Sequence, residues 1–126
     1  PNLTKGLFFG GKADESMNAG EIFPQPVEYD NEKVVKRMDH ILGKNFSLIS
    51  KSPLEISEDH YEFLDLIECK FVILENKYIE GNPWMKSFME KDRAFLVRPD
   101  RYIFGSTNSN ISIDMLINDL KMRIMN

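Results

Sequence analysis

Apolar positions follow no period along the first third of the chain and clear periods beyond it. Up to about residue 33, Gly6, Gly10, Gly11, Gly20, Pro24 and Pro26 interrupt every run, so this stretch reads as an irregular strap with no helix or strand of its own. Its apolar pieces, Leu7-Phe8-Phe9 and Ile22-Phe23, need a surface to cover them, and of their own sheet or a second copy the expected one is a second copy, with Phe23, Pro24 and Pro26 the most ordered part. From Val34 onward the pattern predicts a short helix over 36–42 closed by Gly43, then an alternating strand over 46–50. A helix from Ser57 to about Glu68 follows, with Glu58 and Asp59 in its first turn and Tyr61, Phe63, Leu64 and Ile67 inward. Lys70 to Leu74 is apolar nearly throughout and reads as a central strand. Asn82-Pro83 opens a short helix with Trp84, Met85, Phe88 and Met89 facing inward. Two apolar runs, Ala94–Val97 and Tyr102–Phe104, flank Arg98-Pro-Asp-Arg101 and predict a β-hairpin. Ile113, Leu116, Ile117, Leu120 and Ile124 mark one face of a last helix.

The predicted order is strand, helix, strand, helix, strand, strand, helix. Strands joined through a helix run parallel and hairpin strands antiparallel, which is the thioredoxin arrangement. The expected fold is therefore α/β: a mixed four-stranded sheet with helices on both faces, residues 34–126, preceded by a strap, residues 1–33.

Bulk properties narrow the function classes. With 126 residues, 42% hydrophobic and 29% charged, the chain can bury one core. A net charge of −4 with dispersed basic residues disfavours nucleic acid and anionic membranes as partners. No apolar run approaches the ~20 residues of a membrane span and no signal-peptide pattern is present, so the expected location is cytoplasmic. The opening residue, Pro1, reads as the start of a piece cut from a longer protein.

A thioredoxin order raises the question of thiol chemistry. Redox members carry Cys-x-x-Cys after the first strand, at a helix start that stabilises a thiolate; here the segment is Lys51-Ser-Pro-Leu-Glu55. Asp92-Arg93 stands where those members have a proline before the hairpin. The single cysteine, Cys69, reads as a buried structural thiol. His40 and His60 lack the neighbours of a zinc site and read as surface or half-buried helix residues. Glu58, Asp59, Glu62 and Asp65 read as one solvated helix face rather than a general acid–base pair. Arg98 and Arg101 are either two solvated charges on a well-formed turn or contacts to another domain, a role that requires partial burial.

Three segments together resemble one family. Ala19-Gly-Glu-Ile-Phe-Pro-Gln-Pro26, Arg37-Met-Asp-His-Ile-Leu-Gly43 with Phe46-Ser-Leu-Ile49, and Arg98-Pro-Asp-Arg-Tyr102 are similar to the C-terminal region of 3-(3-hydroxyphenyl)propionate hydroxylases. These are FAD- and NADH-dependent flavoprotein monooxygenases of aromatic-compound catabolism. The resemblance covers about residues 19–107, with the middle matched in element order only, and Met38 stands where leucine is commoner. It implies that the parent enzyme binds FAD and NAD(P)H in its N-terminal part. It assigns no catalytic, cofactor-binding or metal residue to this chain. It also implies an accessory domain that contacts the flavin and substrate domain and a homo-oligomeric partner, a dimer, with Phe23, Pro24, Arg98, Asp100, Arg101 and Tyr102 as candidate interaction residues. Two other readings remain: a free-standing thiol oxidoreductase, opposed by the missing cysteine pair, and a stand-alone thioredoxin-like protein-binding module without redox activity.

Overall fold

The computed structural model describes residues 6–25, 27–30, 33–37, 41–90 and 93–125. In chain order the elements are β1 (Val27–Asp30), β2 (Lys33–Arg37), β3 (Ser47–Ser50), α1 (Glu58–Leu66), β4 (Lys70–Ile73), α2 (Asn76–Glu80), α3 (Pro83–Phe88), β5 (Phe95–Val97), β6 (Ile103–Ser106) and α4 (Ile113–Met125). Two single 3₁₀ turns, Phe9–Gly11 and Glu15–Met17, precede them.

The main sheet has the order β4-β3-β5-β6. β3 runs parallel to β4 and antiparallel to β5, and β5 is antiparallel to β6. This is the thioredoxin-like α/β arrangement that the sequence predicts. One face buries Ile49, Val72, Leu74, Phe95, Val97 and Ile103 against Tyr78 and Ile79 of α2, Met85 of α3, and Met89. The other buries Leu48, Leu96 and Phe104 against Phe63 and Leu64 of α1 and Leu116, Ile117 and Leu120 of α4. Helices therefore cover both faces.

Four local expectations need correction. The predicted helix over 36–42 is not formed at its start: Lys36 and Arg37 belong to β2, paired antiparallel with β1. The β-branched pair Val34-Val35 favours an extended chain, and a nearby strand supplies the ladder. Residues 38–40, His40 among them, lie outside the described residues. Gly43 does not take the positive φ of a helix cap; a Cβ there would stand 3.0 Å from Cβ of Lys70.

The run Lys70–Leu74 is an edge strand, with β3 in the sheet interior instead. Val72 and Leu74 are buried while Phe71 and Ile73 are exposed. In β3 the polar residues Ser47 and Ser50 are buried, because the Ser47 hydroxyl accepts from the Gly43 amide at 3.1 Å and the Ser50 hydroxyl donates to the Ser52 carbonyl at 2.7 Å. Tyr61 is not an inner residue of α1; its ring stacks on exposed Phe71 at 5.6 Å between centroids. Trp84 likewise faces outward.

The strap is packed as part of this domain. Met17, Ala19 and Phe23 are buried in it, and Leu7 and Phe9 pack against the α1/α4 face. Phe23 meets Phe88 and Phe95 edge-on, with centroids 5.7 and 5.6 Å away. Phe23 thus finds cover within its own chain, and Leu7 and Phe9 do so in part, while Ile22 stays exposed. The expectation of no strand up to residue 33 is overturned by β1, which pairs antiparallel with β2, so a boundary at residue 33 falls within this hairpin.

Candidate interaction site at the Arg-Pro-Asp-Arg hairpin

Residues 98–102 join β5 and β6, with Pro99, Asp100 and Arg101 forming the loop that Arg98 and Tyr102 close. The Arg98 amide donates to the Tyr102 carbonyl at 2.8 Å and the Arg101 amide to the Arg98 carbonyl at 2.9 Å. A three-residue loop of this kind needs its last residue left-handed, and Arg101 takes that position with φ 74°. Glycine holds it without strain; an arginine there needs a compensating contact. That contact is its Nη1, which donates to the Gly43 carbonyl at 2.9 Å.

Arg98 is almost completely buried, at 2% exposure. Its Nε donates to Oδ1 of Asp100 at 3.1 Å and its Nη2 to Oδ2 at 2.5 Å, a bidentate pair. Nη1 donates to the Leu7 carbonyl at 3.3 Å. The guanidinium also lies over the Phe8 ring at 4.7 Å and the Tyr102 ring at 5.5 Å. Burial by itself pushes the Asp100 carboxyl up, but the Arg98 hydrogen bonds, the Tyr102 amide and the Arg98 charge outweigh it and hold its pKa below the ordinary value.

The strap completes the arrangement by adding to the open edge of β6. The Gly20 amide donates to the Ile103 carbonyl at 2.9 Å, the Ile103 amide to the Glu21 carbonyl at 2.7 Å and the Phe23 amide to the Arg101 carbonyl at 2.9 Å. Ile22 bridges Tyr102. Farther along β6, Arg93 Nη2 contacts both Asn18 Oδ1 and the Ser106 hydroxyl, and that hydroxyl donates to the Met17 carbonyl at 2.8 Å.

Five of the six candidate interaction residues (Phe23, Arg98, Asp100, Arg101 and Tyr102) are therefore joined by hydrogen bonds or ring contacts, and half-buried Pro24 directly follows Phe23. Both arginines are engaged within the chain, and neither is a freely solvated charge. What sequence reasoning missed is the identity of their partners, Leu7, Phe8 and Gly43, which are 58 to 91 positions away and leave no local signal.

Elsewhere the chemistry is sparse. The Cys69 thiol is half-buried, and burial pushes its pKa up to about 12. His60 is half-buried on α1 with Nδ1 2.5 Å from Oδ1 of Asp114, which also accepts the Ser57 amide at 3.1 Å. The His60 contact is the main reason the Asp114 carboxyl sits low. Glu58, Asp59, Glu62 and Asp65 are all exposed. An open groove of about 310 Å³ between α1 and α4 is lined by Asp59, Glu62, Phe63, Leu66, Lys121 and Met125, with no convergent set of polar groups. Among the described residues no cluster of His, Cys, Asp and Glu could hold a metal ion, and no helix is long and apolar enough to cross a membrane.

No protein-family model matches the chain, and a search of curated proteins finds no match to it.

Proposed function

We propose that the chain is the C-terminal accessory domain of an FAD-dependent, NAD(P)H-using aromatic-ring hydroxylase, a cytoplasmic flavoprotein monooxygenase. It serves as a structural and interaction module and carries no catalytic residue. The observation that supports this reading is the meeting of the three family-like segments at one residue. The Arg101 carbonyl accepts the Phe23 amide of the Phe-Pro-Gln-Pro strap, and the Arg101 guanidinium donates to Gly43, the end of the Arg-Met-Asp-His-Ile-Leu-Gly segment. Motifs that are separately weak thus form one structural device.

The residues here do not fit a flavin or nicotinamide nucleotide. Among the described residues, none of the helices that follow a strand opens on a glycine-rich turn, the feature that brings backbone amides close to a pyrophosphate. The flavin, which supplies oxygen activation in such enzymes, belongs to the parent's other domain, and no step is assigned to it here.

The alternative, a stand-alone thioredoxin-like binding module without redox activity, draws on the same inert thiol. Sequencing the coding frame upstream of Pro1 separates the two. A continuous frame encoding a strand–Gly-x-Gly-x-x-Gly–helix unit is the expected result. A start codon immediately ahead of Pro1 would leave the stand-alone module.

A further inference from the structure

The two edges of the main sheet are treated differently. The β6 edge is covered by residues 20–23. The β4 edge receives no strand among the described residues. The amides of Lys70 and Leu74 donate to the Phe46 and Ser50 carbonyls, at 2.9 and 2.8 Å. Polar backbone groups alternate sides along a strand. Residues 70, 72 and 74 therefore address β3, and the N–H and C=O groups of Phe71 and Ile73 point away from the sheet. The side chains of the same two residues are 43% and 51% exposed. An edge with no bulge at its centre, and with two adjacent apolar positions on one face, is the type that pairs with another strand.

We propose that this edge pairs antiparallel with the β4 edge of a second copy of the chain, about a two-fold axis at Val72. In that register Phe71 faces Ile73 of the second copy and Ile73 faces its Phe71, so all four outward N–H and C=O groups on each strand enter two hydrogen-bonded pairs. The facing side chains are apolar and lie on the same side of the joined sheet, with each Phe71 already braced by Tyr61 at 5.6 Å. Lys70 comes opposite Leu74 and Cys69 opposite Glu75, so no like charges face one another. This match of the edge to itself is what favours a second copy over an unrelated strand. The inference does not depend on the hydroxylase reading and applies equally to the stand-alone module.

The test is sedimentation of the full chain over a wide concentration range, combined with amide hydrogen exchange. The expected result is a dimer in which protection of the Phe71 and Ile73 amides rises with concentration. Ile73→Lys should weaken association by roughly tenfold or more while far-ultraviolet dichroism stays unchanged; Phe71→Lys serves the same purpose if the first variant folds poorly. A chain that stays monomeric at every concentration overturns the proposal. So does a dimer in which these two amides exchange freely, or one that survives both lysine substitutions with the fold intact.

Discussion

The buried Arg98 guanidinium and the Asp100 carboxylate, two residues apart on one turn, form a bidentate pair that also holds the Leu7 carbonyl. Removing one partner of a buried charged pair costs more than removing an exposed one. Arg98→Ala should destabilise the chain by about 2–4 kcal/mol in urea unfolding, from lost charged hydrogen bonds and lost contact with Phe8. Arg98→Lys should recover less than half of this, since an ammonium cannot reproduce the two-pronged geometry. Wild-type stability in Arg98→Ala would show that the clamp carries little.

Acid should release the same clamp. The folded-state pKa of Asp100 lies below its ordinary value, as does that of Asp114. A depressed carboxyl contributes stability that is fully present above its unfolded pKa of about 4 and is lost as pH falls through the folded value. Unfolding midpoints should therefore be flat from pH 7 to about 5 and decline below about 4. Asp100→Asn should start lower and decline less steeply; an unchanged slope would remove Asp100 from the acid response.

Phe23 tests whether the strap is integral to the core. Its ring packs edge-on against two others, and truncating a buried phenylalanine typically costs ~3–5 kcal/mol. Phe23→Ala should fall in that range by chemical denaturation. A loss under ~1 kcal/mol would mean that the strap is held by its backbone pairing alone.

Gly105 marks where the N-terminal segment and α4 close over β6. A Cβ built there would stand 2.8 Å from Cδ1 of Leu116 and 3.1 Å from Cβ of Phe9. Gly105→Ala should destabilise by about 1–3 kcal/mol through overpacking. The companion Gly105→Ala/Leu116→Ala should show a favourable coupling in a double-mutant cycle, because shortening Leu116 makes room for the added methyl.

Cys69 should behave as a structural thiol. With its pKa pushed up to about 12 by burial, only ~0.01% is thiolate at pH 8, and the thiolate is the reactive form. Labelling of the native chain should be slow, and addition of denaturant should make it rapid. Stoichiometric labelling within seconds under native conditions would contradict the raised pKa of this half-buried thiol.

The period of apolar residues was enough to locate α1, α4, β3 and the β5–β6 hairpin, because each draws its pattern from its own stretch of chain. Asn82-Pro83 likewise marked the start of α3, and the absence of a cysteine pair at 51–55 was plain from the residues alone. Where each strand sits in the sheet was not local information. β4 is the more apolar of the two parallel strands yet lies at the edge, while β3 buries two serines in the interior; their hydroxyls are satisfied by near neighbours, the Gly43 amide and the Ser52 carbonyl, and it is the pairing with β5 that places β3 inside. The strap shows the same limit more strongly. Its glycines and prolines suggested no helix or strand up to residue 33, yet Val27–Asp30 forms β1 and two 3₁₀ turns lie at Phe9–Gly11 and Glu15–Met17. Only the tertiary structure supplied the edge of β6 that its backbone pairs with, the ring cluster that Phe23 enters and the arginines that hold it. Short-range preferences are written in neighbouring residues. Contacts across 58 to 91 positions are decided by which surfaces the folded sheet leaves open.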